Sequence, residues 1–246
     1  MQANKDNYIF GFRAVEETIK AGKSVDKILF RRGMKNELFS ETFQIVREMG
    51  IPYQFVPQQK LDRITKKNHQ GVIAFIAPIE FHDIEQILPV LFEEGKTPFF
   101  LVLDRVTDVR NFGAIARSAE CAGVHAIIIP KKHSANINQD AVKTSAGALS
   151  KIAVCRTASL EDTVRHLKNS GLQVVAASEK ASTDLFSLDY TPPTVLIMGA
   201  EDKGVSESLL KVSHHWAKIP MRGEIASLNV SVATGVFLFE VVRQRG

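Results

Sequence analysis

Three short segments hold the residues best suited to chemistry: Asn111-Phe112-Gly113 with Arg117, Gly199-Ala200-Glu201-Asp202-Lys203-Gly204, and Ile219-Pro220-Met221-Arg222-Gly223-Glu224 running into Ser227-Leu228-Asn229. Between them they supply amides, a guanidinium, a carboxylate and a hydroxyl beside glycine-rich turns. Each follows an apolar, strand-like run, and open α/β sheets build their sites at the carboxyl ends of strands. The three therefore read as one composite active site. Two common nucleotide readings fail on residue type. A dinucleotide fingerprint needs GxGxxG after the first strand of its domain, and Asp104-Arg105-Val106-Thr107-Asp108 stands there instead. Gly199 to Gly204 has the glycine spacing of a nucleotide-triphosphate loop, but Val205-Ser206 replaces the required Lys-Ser/Thr.

The elements that must position these segments follow a strand, helix, strand pattern from Phe99 onward. Strands are predicted at Phe99–Leu103, Ala126–Pro130, Leu172–Ala177, Val195–Met198 and Ala217–Ile219. Helices are predicted after Asn111 to Cys121, at Leu160–Lys168, at Val205–Val212 and from Asn229 to Arg243. Near-continuous apolar strands flanked by helices imply an α/β fold, a parallel sheet covered on both faces. Ahead of this domain, taken as 99–246, residues 77–98 read as a connector with a short acidic helix at Ile84–Phe92 and prolines near both ends. Residues 1–76 read as a small α/β module with helices at Arg13–Ala21 and Glu37–Met49 and strands at Lys27–Phe30, Tyr53–Val56 and Val72–Ile76.

Charge sharpens that division. The chain of 246 residues carries a net charge of +4, but residues 1–76 hold 13 Lys/Arg against 8 Asp/Glu, whereas 77–98 hold one Lys against five acids. Arg31-Arg32, Lys35, Arg63 and Lys66-Lys67 gather at element ends, either as a solvated rim or as a platform for nucleic acid. The two cysteines, Cys121 and Cys155, lie in apolar contexts and are expected to be buried, reduced thiols. No His/Cys cluster has metal-ligand spacing, and His214-His215 would face opposite ways on a strand, so no metal is expected. No window approaches the roughly 20 apolar residues of a membrane span, and Met1-Gln2-Ala3-Asn4-Lys5-Asp6 lacks the apolar core of a signal peptide. The expectation is a cytoplasmic protein without a membrane partner.

The three segments resemble the SpoU/TrmH family of RNA ribose methyltransferases, within the SPOUT superfamily, and the resemblance covers nearly the whole chain. The first motif stands as Asn111-x-Gly113-x-x-x-Arg117, the second as Met198-Gly199-Ala200-Glu201-x-x-Gly204, and the third as Ile219-Pro220 followed by Ser227-Leu228-Asn229-Val230-Ser231-Val232-Ala233. The third string is highly specific. One departure is Val109-Arg110, where the family often carries a proline before the asparagine. With a small domain ahead and the ending Glu240-Val241-Val242-Arg243-Gln244-Arg245, the chain most resembles the bacterial enzymes that methylate a guanosine of 23S ribosomal RNA. The resemblance implies S-adenosylmethionine bound in a trefoil-knotted SPOUT domain, an obligate homodimer, and RNA bound by the first domain. Enzymes of the same chemistry acting on transfer RNA, and a non-catalytic RNA-binding or ribosome-assembly factor, are the rival readings.

On this resemblance the candidate catalytic residues are Asn111, Arg117, Glu201, Ser227 and Asn229. Methyl transfer to a ribose 2′-hydroxyl is an in-line displacement in which positioning dominates. Arg117 would grip the target's phosphate and stabilise charge, unless it is an ordinary surface arginine. Glu201 would orient Arg117, the substrate or the neighbouring loop, or else be a solvated turn carboxylate. Ser227 is placed either to cap the last helix or to act in catalysis. Asn111 and Asn229 would fix loops against RNA or cofactor, with turn formation the competing explanation. Gly199, Ile219 and Leu228 would contact the cofactor; read alone, Ile219 and Leu228 are core residues. The last helix is apolar around much of its circumference, which fits burial in one domain or a dimer interface.

Overall fold

The computed structural model describes residues 8–225 and 227–246, so the expectation made for Met1 to Asp6 lies outside the described residues. One compact unit comprises the described residues up to Glu80 with Ile137–Gln139; the other comprises Phe81–Asn136 and the described residues from Asp140 on. No helix among the described residues is long and apolar enough to cross a membrane.

The first unit contains β1 (Tyr8–Phe10), α1 (Phe12–Lys20), β2 (Val25–Arg31), α2 (Glu37–Glu48), β3 (Tyr53–Val56), α3 (Gln58–Ile64) and β4 (Val72–Ile76). Its sheet has the order β1-β4-β2-β3, with β4 antiparallel to β1 and β2, and β3 parallel to β2. Alternation along β2 sends Ile28 and Phe30 to one face, beside Phe12, Val15 and Ile19 of α1 and Val46 of α2. Leu29 faces the other way, against Val56, Leu61 and Ile73. The sequence pattern does not reveal α3, because seven residues with one buried side chain, Leu61, carry too little periodicity to register. A histidine clamps the loop after α3. The Gly71 N–H donates to His69 Nδ1 at 2.9 Å, which leaves the ring proton on Nε2 for a 2.9 Å bond to Asp62 Oδ1. Lys66 and Lys67 are exposed on this clamped loop, with Lys67 Nζ 5.9 Å from the centroid of the Phe10 ring.

The second unit contains β5 (Phe81–His82), α4 (Ile84–Glu93), β6 (Phe99–Asp104), α5 (Val109–Cys121), β7 (Ala126–Pro130), α6 (Gln139–Thr144, of which only Gln139 is grouped with the first unit), β8 (Ala153–Thr157) and α7 (Leu160–Asn169). It continues with β9 (Gln173–Ala177), β10 (Thr183–Asp184), β11 (Thr194–Gly199), α8 (Glu207–Val212), β12 (His215–Lys218) and α9 (Val230–Arg245). The strands run in the order β10-β12-β9-β11-β6-β7-β8-β5, every pairing parallel. Phe100, Val102, Ile128, Val174 and Ile197 form one core with Ile84 and Leu88 of α4, Val164 of α7 and Leu209 of α8. The opposite face meets α5 and α9, which pack on each other and bury Phe112, Ile115, Ala116, Phe237, Leu238 and Val241. This is the parallel sheet covered on both faces that the sequence predicts.

Residues 77–98 are built differently from the expected connector. Phe81–His82 is an edge strand on β8, and Ile84, Leu88 and Leu91 of α4 are buried in the second unit's core, so the division falls after Glu80. The strand β8 is not predicted from the sequence because Arg156 interrupts its apolar run; the guanidinium lies over the Phe81 ring, 3.8 Å from its centroid. Cys155, on β8, is buried as expected, and burial, helped by the Asp83 carboxylate, pushes its thiol up to about 12. Cys121 is instead exposed. The buried stripe of α5 runs through Phe112, Ile115, Ala116 and Ala119, and position 121 falls off that stripe.

From β6 the chain steps to β7 and β8 on one side, and later to β9 and β11 on the other. The order therefore reverses between β6 and β11. In open α/β sheets such a reversal leaves a crevice at the carboxyl ends of the strands.

Candidate active site

Asp104 and Gly199 end β6 and β11 in register at that crevice. Beyond Asp104, Asp108 caps α5 by accepting from Asn111 N at 2.7 Å, so the helix begins at Val109, earlier than expected, and Asn111 sits in its first turn. Gly113 lets α5 approach its neighbour closely: a Cβ there would lie 2.7 Å from Thr144 Cβ and 2.9 Å from the Ala141 carbonyl oxygen. Beyond Gly199 the chain folds back on itself, with Gly204 N donating to Ala200 O at 2.8 Å. Asp104 and Arg105 fasten this loop, the first by accepting from Ser206 N at 2.7 Å and the second by donating to Gly204 O at 3.2 Å. Neither was singled out from the sequence; a carboxylate at the end of an apolar strand was the available signal.

Gly199 is required by that fold-back. A Cβ on it would overlap the Gly204 carbonyl and Val205 N, backbone atoms that move only if the whole loop moves. Gly199→Ala is expected to cost about 1–3 kcal/mol as overpacking and to displace the loop. The check is a lower melting temperature, with the displaced loop seen as altered amide chemical shifts from Gly199 to Val205.

Glu201 joins the three segments. Its Oε1 accepts from Asn111 Nδ2 at 3.1 Å, from Asn229 Nδ2 at 2.5 Å and from Val230 N at 3.2 Å, while Asn229 Nδ2 also donates to Asn111 Oδ1 at 3.1 Å. The carboxylate thus sits at the amino terminus of α9, where the helix dipole favours negative charge. Of the partners open to Glu201 from the sequence, its hydrogen bonds select the neighbouring loops and not Arg117.

Asn229, not Ser227, caps α9, accepting from Ser231 N at 3.0 Å. The cap falls two residues later than the Ser227 candidate, which leaves the Ser227 side chain exposed on the wall of a cavity of about 310 Å³. Gly199, Glu201, Ile219 and Leu228 line the same cavity, above Met198 and Ala217 and against Phe237 of α9. Ile219 lies just past β12 and is only half-buried, and Leu228 is 37% exposed, so neither is a core residue. Ser178, Glu179 and Lys180, which follow β9, also contribute to the wall and were not foreseen; their signal was the buried strand Gln173–Ala177 before them.

Arg117 stands apart from this network. It is exposed on α5, four residues beyond Gly113, it does not line the cavity, and among the described residues it makes no hydrogen bond or ion pair. Its fork of donors is free for a ligand. In the first unit Arg31, Arg32, Lys35, Arg63, Lys66 and Lys67 are all exposed. Arg32 Nε donates to Phe55 O at 3.4 Å, beside the part-exposed rings of Tyr53 and Phe55. Among the described residues no group of three or more His, Cys, Asp and Glu is arranged to hold a metal ion.

Residues 98–239 match the family model described as the SpoU rRNA Methylase family, and residues 8–82 match that for RNA 2′-O ribose methyltransferase substrate binding. A TrmH family tRNA/rRNA methyltransferase of Bacillus subtilis, YacO, is 32% identical over 99% of this chain and 98% of its own. The AdoMet complex of the SpoU methyltransferase AviRb from Streptomyces viridochromogenes aligns with a TM-score of 0.61 and 27% identity, over 98% of this chain and 91% of that one. An AdoMet-bound rRNA methyltransferase from Sinorhizobium meliloti aligns at 0.62 with 26% identity, over 97% and 87%.

Proposed function

The chain belongs to the SpoU rRNA Methylase family, an RNA methyltransferase family, and on that premise we propose that it methylates a ribose 2′-hydroxyl, with a guanosine of 23S ribosomal RNA as substrate and S-adenosylmethionine as methyl donor. One observation carries this reading: Glu201 draws Asn111 and Asn229 together beside a single cavity that Gly199, Ile219 and Leu228 line. The residues there suit the donor. The apolar surfaces of Ile219, Leu228 and Met198 can hold an adenine, and the cavity volume lies near the lower end of small-molecule sites, about 300–1,000 Å³.

S-adenosylmethionine, when bound, supplies an electrophilic methyl group. The protein's part is to position the attacking hydroxyl and stabilise the charge that develops on it. Arg117 takes the target's phosphate with its free fork and keeps a positive field over the hydroxyl. A guanidinium offers only N–H donors and no acceptor, so it is a poor base and the proton leaves to phosphate or water. Glu201 holds the first turn of α5 and the start of α9 in one arrangement, and Ser227 presents its hydroxyl to the cavity.

The exposed basic side chains of the first unit are read as contacts for RNA, and Tyr53 and Phe55, 40% and 37% exposed, as rings for base stacking. Neutralising Lys66 and Lys67 is expected to weaken RNA binding and to flatten its log–log salt dependence by about 0.7 for each phosphate that is no longer neutralised. Filter binding across a salt series measures both, and an unchanged slope counts against these contacts. Val232 and Phe239 remain 53% and 50% exposed on α9, and this face is read as the interface of a homodimer acting in the cytoplasm, its cofactor loops tied in a trefoil knot. Incubation with labelled S-adenosylmethionine and unmodified 23S ribosomal or transfer RNA tests the substrate. Label in the 23S RNA supports the reading, and label confined to transfer RNA replaces its substrate.

A further inference from the structure

A second cavity, of about 550 Å³, opens at the carboxyl ends of β6, β7 and β8. The loop that walls the cofactor cavity from Gly199 to Val205 continues into it through Ser206, so the two cavities are neighbours. Its charge is one-sided. Lys131, Lys132 and His133 line it, and among the described residues none of their side chains makes a hydrogen bond or ion pair. The two carboxylates on its wall are already engaged. Asp104, 5% exposed, is held by Arg105 at 3.1 Å and by Ser206 N at 2.7 Å, and Glu161 is held by Arg165 at 2.8 Å. The hydroxyls of Ser206 and Ser208, 3.5 Å apart, add donors to the same wall. Arg105 and His133 adopt left-handed backbone at φ 60° and 61°.

Uncompensated lysines, hydroxyl donors and a concave wall beside the donor's cavity suit an anion that arrives with the substrate. We propose that this cavity binds a backbone phosphate of the RNA next to the nucleotide being methylated, with Lys131 and Lys132 supplying charge and Ser206 and Ser208 supplying hydrogen bonds. The inference rests on the methyltransferase reading, which provides the RNA.

The test is anisotropy titration of a short fluorescein-labelled RNA with the full chain across a salt series, comparing wild type with the double variant Lys131→Gln, Lys132→Gln. With one or two phosphates no longer neutralised, the log–log slope is expected to flatten by about 0.7–1.4 and Kd to weaken about tenfold at moderate salt. Lys211→Gln, a control on α8 outside both cavities, is expected to bind like wild type. A double variant with wild-type Kd and slope overturns the proposal. If the double variant melts without cooperativity, Lys132→Glu at the exposed position carries the same comparison, again with a flatter slope expected and an unchanged one overturning the proposal. Because binding is read without turnover, the two readings fail separately. RNA binding that depends on these lysines without methyl transfer removes the methyltransferase reading, whereas transfer with an unchanged slope removes the phosphate site.

Discussion

Arg117→Ala is expected to lower kcat by about 10³-fold, the scale seen when one donor to a developing oxyanion is removed, while S-adenosylmethionine affinity stays at the wild-type value. The split follows from position. Arg117 lies outside the cavity lined by Gly199, Ile219 and Leu228, and among the described residues it supports no neighbour through a hydrogen bond or ion pair. Its loss therefore leaves the fold and the cofactor wall intact, and removes only what it does for RNA. Arg117→Lys keeps the charge but not the planar fork, so it should recover part of the rate. Single-turnover transfer and cofactor calorimetry on the same preparations give both quantities. Wild-type turnover in the alanine variant would remove Arg117 from the mechanism.

Glu201→Ala should act differently, reducing turnover and cofactor binding together. One oxygen of this carboxylate receives donors from the first turn of α5, from the cap of α9 and from the α9 backbone. Removing it frees two loops at once, and a misplacement of about 1 Å in such a site costs about 10²-fold in rate. Because the residue is exposed, water replaces part of what is lost, and the expected fall in global stability is small, about 1 kcal/mol. Glu201→Gln retains an acceptor oxygen but loses the charge at the α9 amino terminus, so its activity should lie between the two. A stability loss of several kcal/mol with full activity in the folded fraction would make Glu201 a scaffold residue only.

Legibility from the sequence tracked how local each feature is. The run Phe99–Leu103 announces a buried strand without help from the rest of the chain, as do Ala126–Pro130 and Val195–Met198. The strand β8 does not, because Arg156 resolves its charge against Phe81, a residue far away in sequence. Proline and charge at 77–98 mark a boundary region, but the spacing of Ile84, Leu88 and Leu91 belongs to a helix whose partner face is created only by the folded sheet. The candidate residues came from motif spacing, whereas their hydrogen-bond partners did not. The bond from Asn111 to Glu201 spans 90 positions and exists because β6 and β11 are neighbours at the reversal of strand order. Ser227 was a sound cap candidate by residue type, and Asn229 took the role because α9 begins at Val230.

The most direct measurement locates the methyl group. The chain is incubated with tritiated S-adenosylmethionine and unmodified 23S ribosomal RNA, and the product is hydrolysed in alkali, which cleaves every linkage except those beside a 2′-O-methylated ribose. A site that delivers the methyl group to the ribose predicts tritium in alkali-resistant dinucleotides. Tritium recovered only in mononucleotides, as base methylation gives, would contradict it.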